Sequence, residues 1–192
     1  MKPVKKLLSI ALACAMVLTL LTGCGASEKK IGEYIKEMPS VTLESQSTNG
    51  PDSHVKLKPT SDADAALLAS KLEDWLSSPE NADKSPLDFL NDTSYDAYEA
   101  FTGSFADSYK LEYVGISYVK LPDSKFDSRD AWAAYQLVQN ICNISVCDAD
   151  DNSEGTISLK TQKIGDDTYV FAVIRTPGHA GDSGEDGGSV HL

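Results

Sequence analysis

The residue best suited to a specific chemistry is Cys24, which closes the sequence Leu21-Thr22-Gly23-Cys24. A cysteine thiolate is a natural nucleophile, so this position suits a reaction that forms a thioether bond. The small Gly23 beside it would allow a modifying enzyme to come close. Small residues of this kind also mark the cleavage site at the end of a secretory leader.

A basic and then apolar leader precedes this box. Its basic start consists of Lys2, Lys5 and Lys6, and residues 7–21 carry no charge, which is the pattern of a secretory signal. The leader and the box together resemble the precursors of bacterial lipoproteins, in which the box is called a lipobox. An ordinary cleaved secretory signal and an uncleaved transmembrane anchor are the alternatives, although an anchor needs about 20 apolar residues.

The resemblance implies a location. Residues 1–23 would be a signal peptide, Cys24 would carry a diacylglyceryl group, and the mature protein would stay at the extracytoplasmic face of the bacterial cell membrane. Two acyl chains give stable anchoring, because each buried CH₂ contributes about 0.8 kcal/mol. We therefore expect the membrane to be one partner of this protein.

The charge of the chain limits its other partners. The formal net charge is −12, and it becomes −15 when the three lysines of the leader are removed. Nucleic acids are excluded as partners, because their binding depends on Lys and Arg that neutralise phosphates. The same charge argues against a second, electrostatic contact with anionic lipids. An envelope protein or a small ligand remains a candidate partner.

Two cysteines, Cys142 and Cys147, remain after Cys14 leaves with the leader and Cys24 is lipidated. In an oxidising exterior they could form a disulfide. Five residues apart on one straight strand, they would point to opposite faces, so pairing requires a bend between them. The Cys-x-x-Cys spacing of a redox pair is absent, and we expect no metal site and no cofactor.

Oxygen-bearing side chains at every second position form one candidate calcium-binding site. Asp148, Asp150, Asn152 and Glu154 recur at every second residue, as oxygen ligands do in the first half of an EF-hand loop. The match then fails, because Ser153 stands where the loop needs glycine and Leu159 where it needs glutamate. A solvated acidic turn is the simpler interpretation.

Candidates for acid–base catalysis are few, because residues 61–176 contain no histidine. They are Asp127, Asp130 and Tyr135, and each would need a pKa shifted by burial to act near neutral pH. The two aspartates are also typical of residues that cap a helix start. We assign no catalytic residue and expect a non-catalytic domain.

These residues lie in a chain that divides into four parts. After the signal peptide 1–23, residues 24–60 are polar and predict the lipidated N-terminus and a flexible tether, a coil that spans roughly 33 Å. Residues 61–176 form a domain of ordinary size. Residues 177–192 are an acidic, Gly-rich tail with too few apolar residues to order.

The predicted elements of the domain are helices followed by strands. Ala65, Leu68 and Leu72 have helical spacing after Ser61-Asp62, and Ser85-Pro86 starts a second helical region that runs to about Phe105. A strand then covers 111–119, and 156–174 predicts a hairpin that turns at Gly165-Asp166-Asp167.

One segment, 131–146, fits two patterns. Trp132, Tyr135, Val138 and Cys142 fit a helix, whereas Tyr135, Leu137, Ile141, Ile144 and Val146 fit a bulged strand. We favour the strand, because 141–146 is rich in β-formers. The change of phase near Gln139 and Asn140 would then be a β-bulge.

Helices followed by antiparallel strands that end in the 156–174 hairpin resemble small lipoprotein domains of the cystatin-like, nuclear transport factor two-like fold. The resemblance implies an α+β domain, with N-terminal helices packed on a curved antiparallel sheet that forms a cone. Such a domain would bind a protein partner or a small ligand. The alternatives are a small enzyme that uses pocket carboxylates and Tyr135, and a structural spacer or dimerisation domain.

Overall fold

A computed structural model describes residues 27–45, 50–81, 83–84, 88–89, 112–123, 128–145 and 147–180. In this part of the chain the protein is an α+β fold with three helices of two turns or more and one curled, mixed sheet. The helices are α1 (27–37), α2 (Asp64–Leu76) and α3 (Arg129–Gln139), and Pro79–Asn81 form a 3₁₀ turn.

Seven strands form the sheet in the order β1-β2-β6-β7-β3-β4, with β5 paired to the end of β7. The strands are β1 (Val41–Leu43), β2 (Ser53–Thr60), β3 (Glu112–Lys120), β4 (Cys142–Asn143), β5 (Cys147–Ala149), β6 (Glu154–Ile164) and β7 (Asp167–Ala180). All pairs are antiparallel except β2 with β6, which is parallel.

Helix α2 is confirmed where its spacing predicts it. Ala65, Leu68 and Leu72 are buried on one face, and the backbone N–H of Asp64 donates to Asp62 Oδ1 at 3.1 Å, as expected for a polar helix start. Most of the second predicted helical region, 85–105, lies outside the described residues. Within it, 88–89 are helical and Phe89 is buried.

The predicted hairpin is also confirmed. β6 pairs with β7 from Thr156↔Arg175 to Ile164↔Asp167, so Gly165 and Asp166 form a two-residue turn. Gly165 has φ of 61°, a conformation that glycine adopts without steric cost. This local pairing needs only a tight turn between two strands of matching length.

The sheet is buried on both faces. On one face Val170, Ala172 and Ile174 of β7 pack with α1, α3, β1 and β2. On the other face Phe171 and Val173 pack with α2. β7 is therefore apolar on both faces, because it lies at the centre of a sheet that is covered on both sides.

The strand predicted over 131–146 is wrong for its first half. Residues 131–139 are helical, and α3 buries Ala133, Ala134, Leu137 and Val138. The change of phase at Gln139 is the end of this helix, not a bulge. The β-formers of 141–146 misled the prediction for the residues before them. The helix pattern is the correct one, although Trp132 and Tyr135 are exposed by 36% and 54%.

The structure also differs from the predicted tether. Ile31 and Ile35 of α1 are 0% and 1% exposed, and Val55 of β2 is 0% exposed, so α1 and β2 form part of the core. Full burial of each such side chain contributes about 2 kcal/mol. The predicted start of the tail at residue 177 also differs from the structure, because β7 continues to Ala180.

The predicted sheet was antiparallel throughout, and this is wrong in one pair. β2 comes from the segment assigned to the tether and runs parallel to β6, with Leu57 opposite Gly155. Ninety-eight residues separate this pair in the chain, and no local pattern indicates such a partner.

Candidate ligand-binding groove

A groove of about 870 Å³ lies where α1 and the start of α2 meet the end of β2. We call it the α1–β2 groove. Apolar atoms of Gly32, Pro59 and Leu159 line part of it, and lysine side chains of α1, β2 and β6 line another part beside acidic side chains. It therefore combines apolar contact with positive charge, as small-ligand sites often combine apolar and polar groups.

The groove forms because β1 is short. β1 pairs with Ser53, His54 and Val55, so no described strand covers the outer edge of β2 beyond Val55. Pro59 lies on this open stretch and has no N–H to offer to another strand, which protects the edge.

Helix α1 packs closely against the same stretch. A Cβ added to Gly32 would lie 3.2 Å from Cγ of Pro59, so a larger residue would push the helix away from the strand. The close packing places the lysines of α1 beside those of β2 and β6.

Charged side chains surround the groove. The cationic ones are Lys29, Lys36, Lys58 and Lys160, and the acidic ones are Glu28, Glu33 and Asp62. Lys29 lies 4.0 Å from Glu33 and Lys58 lies 2.5 Å from Glu154. Lys36 and Lys160 have no ion-pair partner among the described residues.

The elements beside the groove are less acidic than the chain as a whole. Taken together, α1, β2 and β6 carry seven lysines and four glutamates, a net charge of +3, whereas the chain from Cys24 onward carries −15. The residues that line the groove carry four lysines and three acidic side chains, a net charge of +1. The groove is thus close to neutral, with lysines in its wall.

Glu28 has a structural contact at the edge of the groove. Its Oε1 accepts a hydrogen bond from the backbone N–H of Thr161 at 2.5 Å, which ties the first turn of α1 to β6. Thr161 Oγ1 is buried beside it without a hydrogen bond in the described part of the chain.

The predicted cysteine sites are only partly within the described residues. Cys24 and the box Leu21, Thr22 and Gly23 lie outside them. Cys142 on β4 is exposed, Cys147 on β5 is buried, and both are free thiols in the structure. Burial raises the pKa of the Cys147 thiol, so this group is protonated at neutral pH.

The acid–base candidates do not share a pocket. Asp127 lies outside the described residues. Asp130 is mostly buried at the start of α3, with Oδ1 lying 3.9 Å from Arg129 Nε, whereas Tyr135 is exposed. Five residues apart on a helix, the two side chains point in different directions.

The four candidate calcium ligands are likewise held apart by different partners. Asp148 accepts a hydrogen bond from Ser45 Oγ at 3.2 Å, Asp150 Oδ1 lies 2.9 Å from His179 Nδ1, and Glu154 pairs with Lys58. Asn152 has φ of 55° in the turn between β5 and β6. No group of three His, Cys, Asp or Glu that could hold a metal occurs among the described residues.

The sequence prediction missed the groove, because most of its residues lie in the segment assigned to the tether. One signal was present: Val55 and Leu57 alternate with Lys56 and Lys58, the pattern of a half-buried strand. The partner of that strand could not be inferred from it.

None of the described helices is long and apolar enough to cross a membrane. No protein-family model, curated protein or solved structure matches this chain.

Proposed function

We propose that this chain is a bacterial lipoprotein whose domain binds a ligand without catalysing a reaction. A diacylglyceryl group on Cys24 holds the mature protein at the extracytoplasmic face of the cell membrane, and the α1–β2 groove is the binding site. The observation that carries the binding part is the groove itself, which joins apolar and cationic side chains. The lipobox-like sequence supports the anchor.

The arrangement of the acid–base candidates supports a non-catalytic role. Asp130 is mostly buried and Tyr135 is exposed on the same helix, so they offer no shared site for proton transfer to one substrate. General acid–base catalysis needs both groups within hydrogen-bond reach of the reacting atoms.

The closer relation to the cystatin-like fold stays a proposal. The curled sheet and its closing β6–β7 hairpin support it. The parallel pair of β2 with β6 argues against a sheet that is antiparallel throughout. The order and direction of the strands are therefore the features to compare with that fold.

Metabolic labelling with an alkyne fatty acid tests the anchor. The wild-type chain should incorporate label in a bacterial host, and Cys24→Ser should lose the label and accumulate as the uncleaved precursor. The loss is expected because a serine hydroxyl is a far weaker nucleophile than a thiolate.

Cys142→Ser is the matched control, since Cys142 is the exposed thiol of the described domain. It should keep full labelling. An unlabelled wild type, or a Cys24→Ser chain that still carries label, would contradict the anchor.

A further inference from the structure

We infer that the α1–β2 groove binds the headgroup of an anionic phospholipid in the membrane that holds Cys24. This inference rests on the proposed function, because it takes its geometry from the anchor. It differs from what net charge alone suggests: the protein as a whole is acidic, yet four lysines lie beside three acidic side chains in this groove.

The start of α1 lies close to Cys24 along the chain. α1 begins by residue 27, three residues after Cys24, and three extended residues span at most about 11 Å. The domain therefore lies against the headgroups and is not lifted from them on a leash of roughly 33 Å. Glu28, Lys29 and Gly32 line the groove within the first two turns of α1, so the groove opens near the anchor.

Two lysine side chains of the groove could pair with an anionic headgroup. Lys36 and Lys160 line the groove without an ion-pair partner among the described residues. An anionic headgroup would supply that partner, and lysine is a common point-charge ligand for phosphate. The negative surface potential of a membrane attracts basic groups that lie near the surface. Lys29, in the first turn of α1, is the groove lysine nearest to Cys24 along the chain.

An exposed aromatic residue supports the same orientation. Arg129 Nη2 donates to Ser27 Oγ at 3.5 Å, so α3 starts beside the start of α1. Trp132 lies one turn further along α3 and is 36% exposed. Tryptophan is enriched at membrane–water interfaces, where its ring is partly buried among headgroups.

The edge of β2 disfavours an extended peptide as the occupant. Strand addition draws its affinity from main-chain hydrogen bonds, and Pro59 lacks the N–H that such a peptide needs. The apolar surfaces of Pro59 and Leu159 instead suit the glycerol and upper acyl region of a lipid, below the lysines that hold its phosphate.

Vesicle binding tests the inference with the mature chain from residue 24, carrying Cys24→Ser so that no acyl chain contributes. The probes are vesicles of phosphatidylcholine alone and vesicles that also contain phosphatidylglycerol. We expect binding to the anionic vesicles only, weakening as salt is added. Trp132 fluorescence should shift to shorter wavelength on binding, and Trp132→Phe should remove that shift.

Two double variants distinguish a specific contribution of the groove to vesicle binding from a general effect of net charge. Lys36→Glu with Lys160→Glu should weaken binding several hundredfold, because each reversal changes the charge by two units and one unit charge near an anionic surface is worth roughly fivefold in affinity. Lys30→Glu with Lys163→Glu changes the same two elements by the same charge, but outside the groove, and should weaken binding only a few-fold.

Three results would overturn the inference: no preference for anionic vesicles, equal losses in the two double variants, or equal competition by glycerol 1-phosphate and by soluble dihexanoyl phosphatidylglycerol. The last would indicate a free phosphate ligand and not a lipid. Fatty-acid labelling of Cys24 is independent of all three, so a failure here would leave the anchor standing.

Discussion

At the scale of single residues, buried polar side chains hold the sheet and helices in register. Arg175 on β7 pairs with Asp64 at the start of α2 and with Glu112 on β3, at 2.5 and 2.8 Å. These side chains are about one-fifth to one-third exposed, so water screens the pairs only in part. Tyr113 is buried more deeply, at 2% exposure.

Alkaline pH should destabilise the protein through Tyr113. Burial, and then nearby negative groups, raise the pKa of this phenol far above its usual value of about 10. The unfolded chain therefore loses this proton first as pH rises. The contribution of Tyr113 to the free energy of unfolding is complete below about pH 10 and decreases by about 1.4 kcal/mol per pH unit above it.

Urea denaturation of wild type and Tyr113→Phe at about pH 7, 10 and 11 measures this effect. The stability gap between the two proteins should move in favour of the phenylalanine variant as pH rises. A gap that stays constant across that range would show that Tyr113 ionises equally in both states.

At the scale of elements, α3 shows how a helix can present its aromatic residues to solvent. Its buried face consists of small and aliphatic residues, Ala133, Ala134, Leu137 and Val138. Alanines at 0% exposure let the helix lie close to the sheet. Trp132 and Tyr135 then remain outside, where the first forms part of the proposed membrane-facing surface.

A pair of alanine substitutions distinguishes this helix from the strand that the sequence favoured. Leu137→Ala should lower the free energy of unfolding by about 3 kcal/mol, because it leaves a cavity in the core. Tyr135→Ala should change it by less than about 0.5 kcal/mol. In a strand the two residues would share one face, so similar losses in thermal or urea unfolding would contradict the helix.

At the scale of the whole molecule, the N-terminal segment is structural. α1, β1 and β2 bury Ile31, Ile35, Val55 and Leu57 in the cluster that also contains α3 and the centre of the sheet. The domain therefore begins within a few residues of Cys24, and the same segment supplies three of the four lysines of the groove.

Removing 24–60 should abolish cooperative folding. The deletion exposes the edge of β6 and the apolar residues that α1 and β2 cover. Removal of 181–192 is the control and should leave the melting temperature within about 2 °C of the wild-type value. Circular dichroism during heating measures the unfolding of both deletion variants. A cooperative transition in the chain without 24–60 would support the predicted flexible tether instead.

Local patterns were sufficient for α2 and for the β6–β7 hairpin. Each depends on residues close together in the chain: apolar spacing of three and four, or a glycine turn between two strands. The helix α3 was within reach too, but the β-formers of 141–146 outweighed the helical spacing of Trp132, Tyr135 and Val138.

Only the tertiary structure decided that 27–60 belong to the domain and that their lysines form a groove. The residues of β2 alternate in polarity, yet their burial depends on β6, nearly a hundred residues away, and on α1 packing at Gly32. Side-chain periodicity is a local property, whereas strand partners and the grouping of charges depend on which distant segments meet. For that reason net charge predicted an acidic surface, and only the fold shows that four lysines meet in one groove.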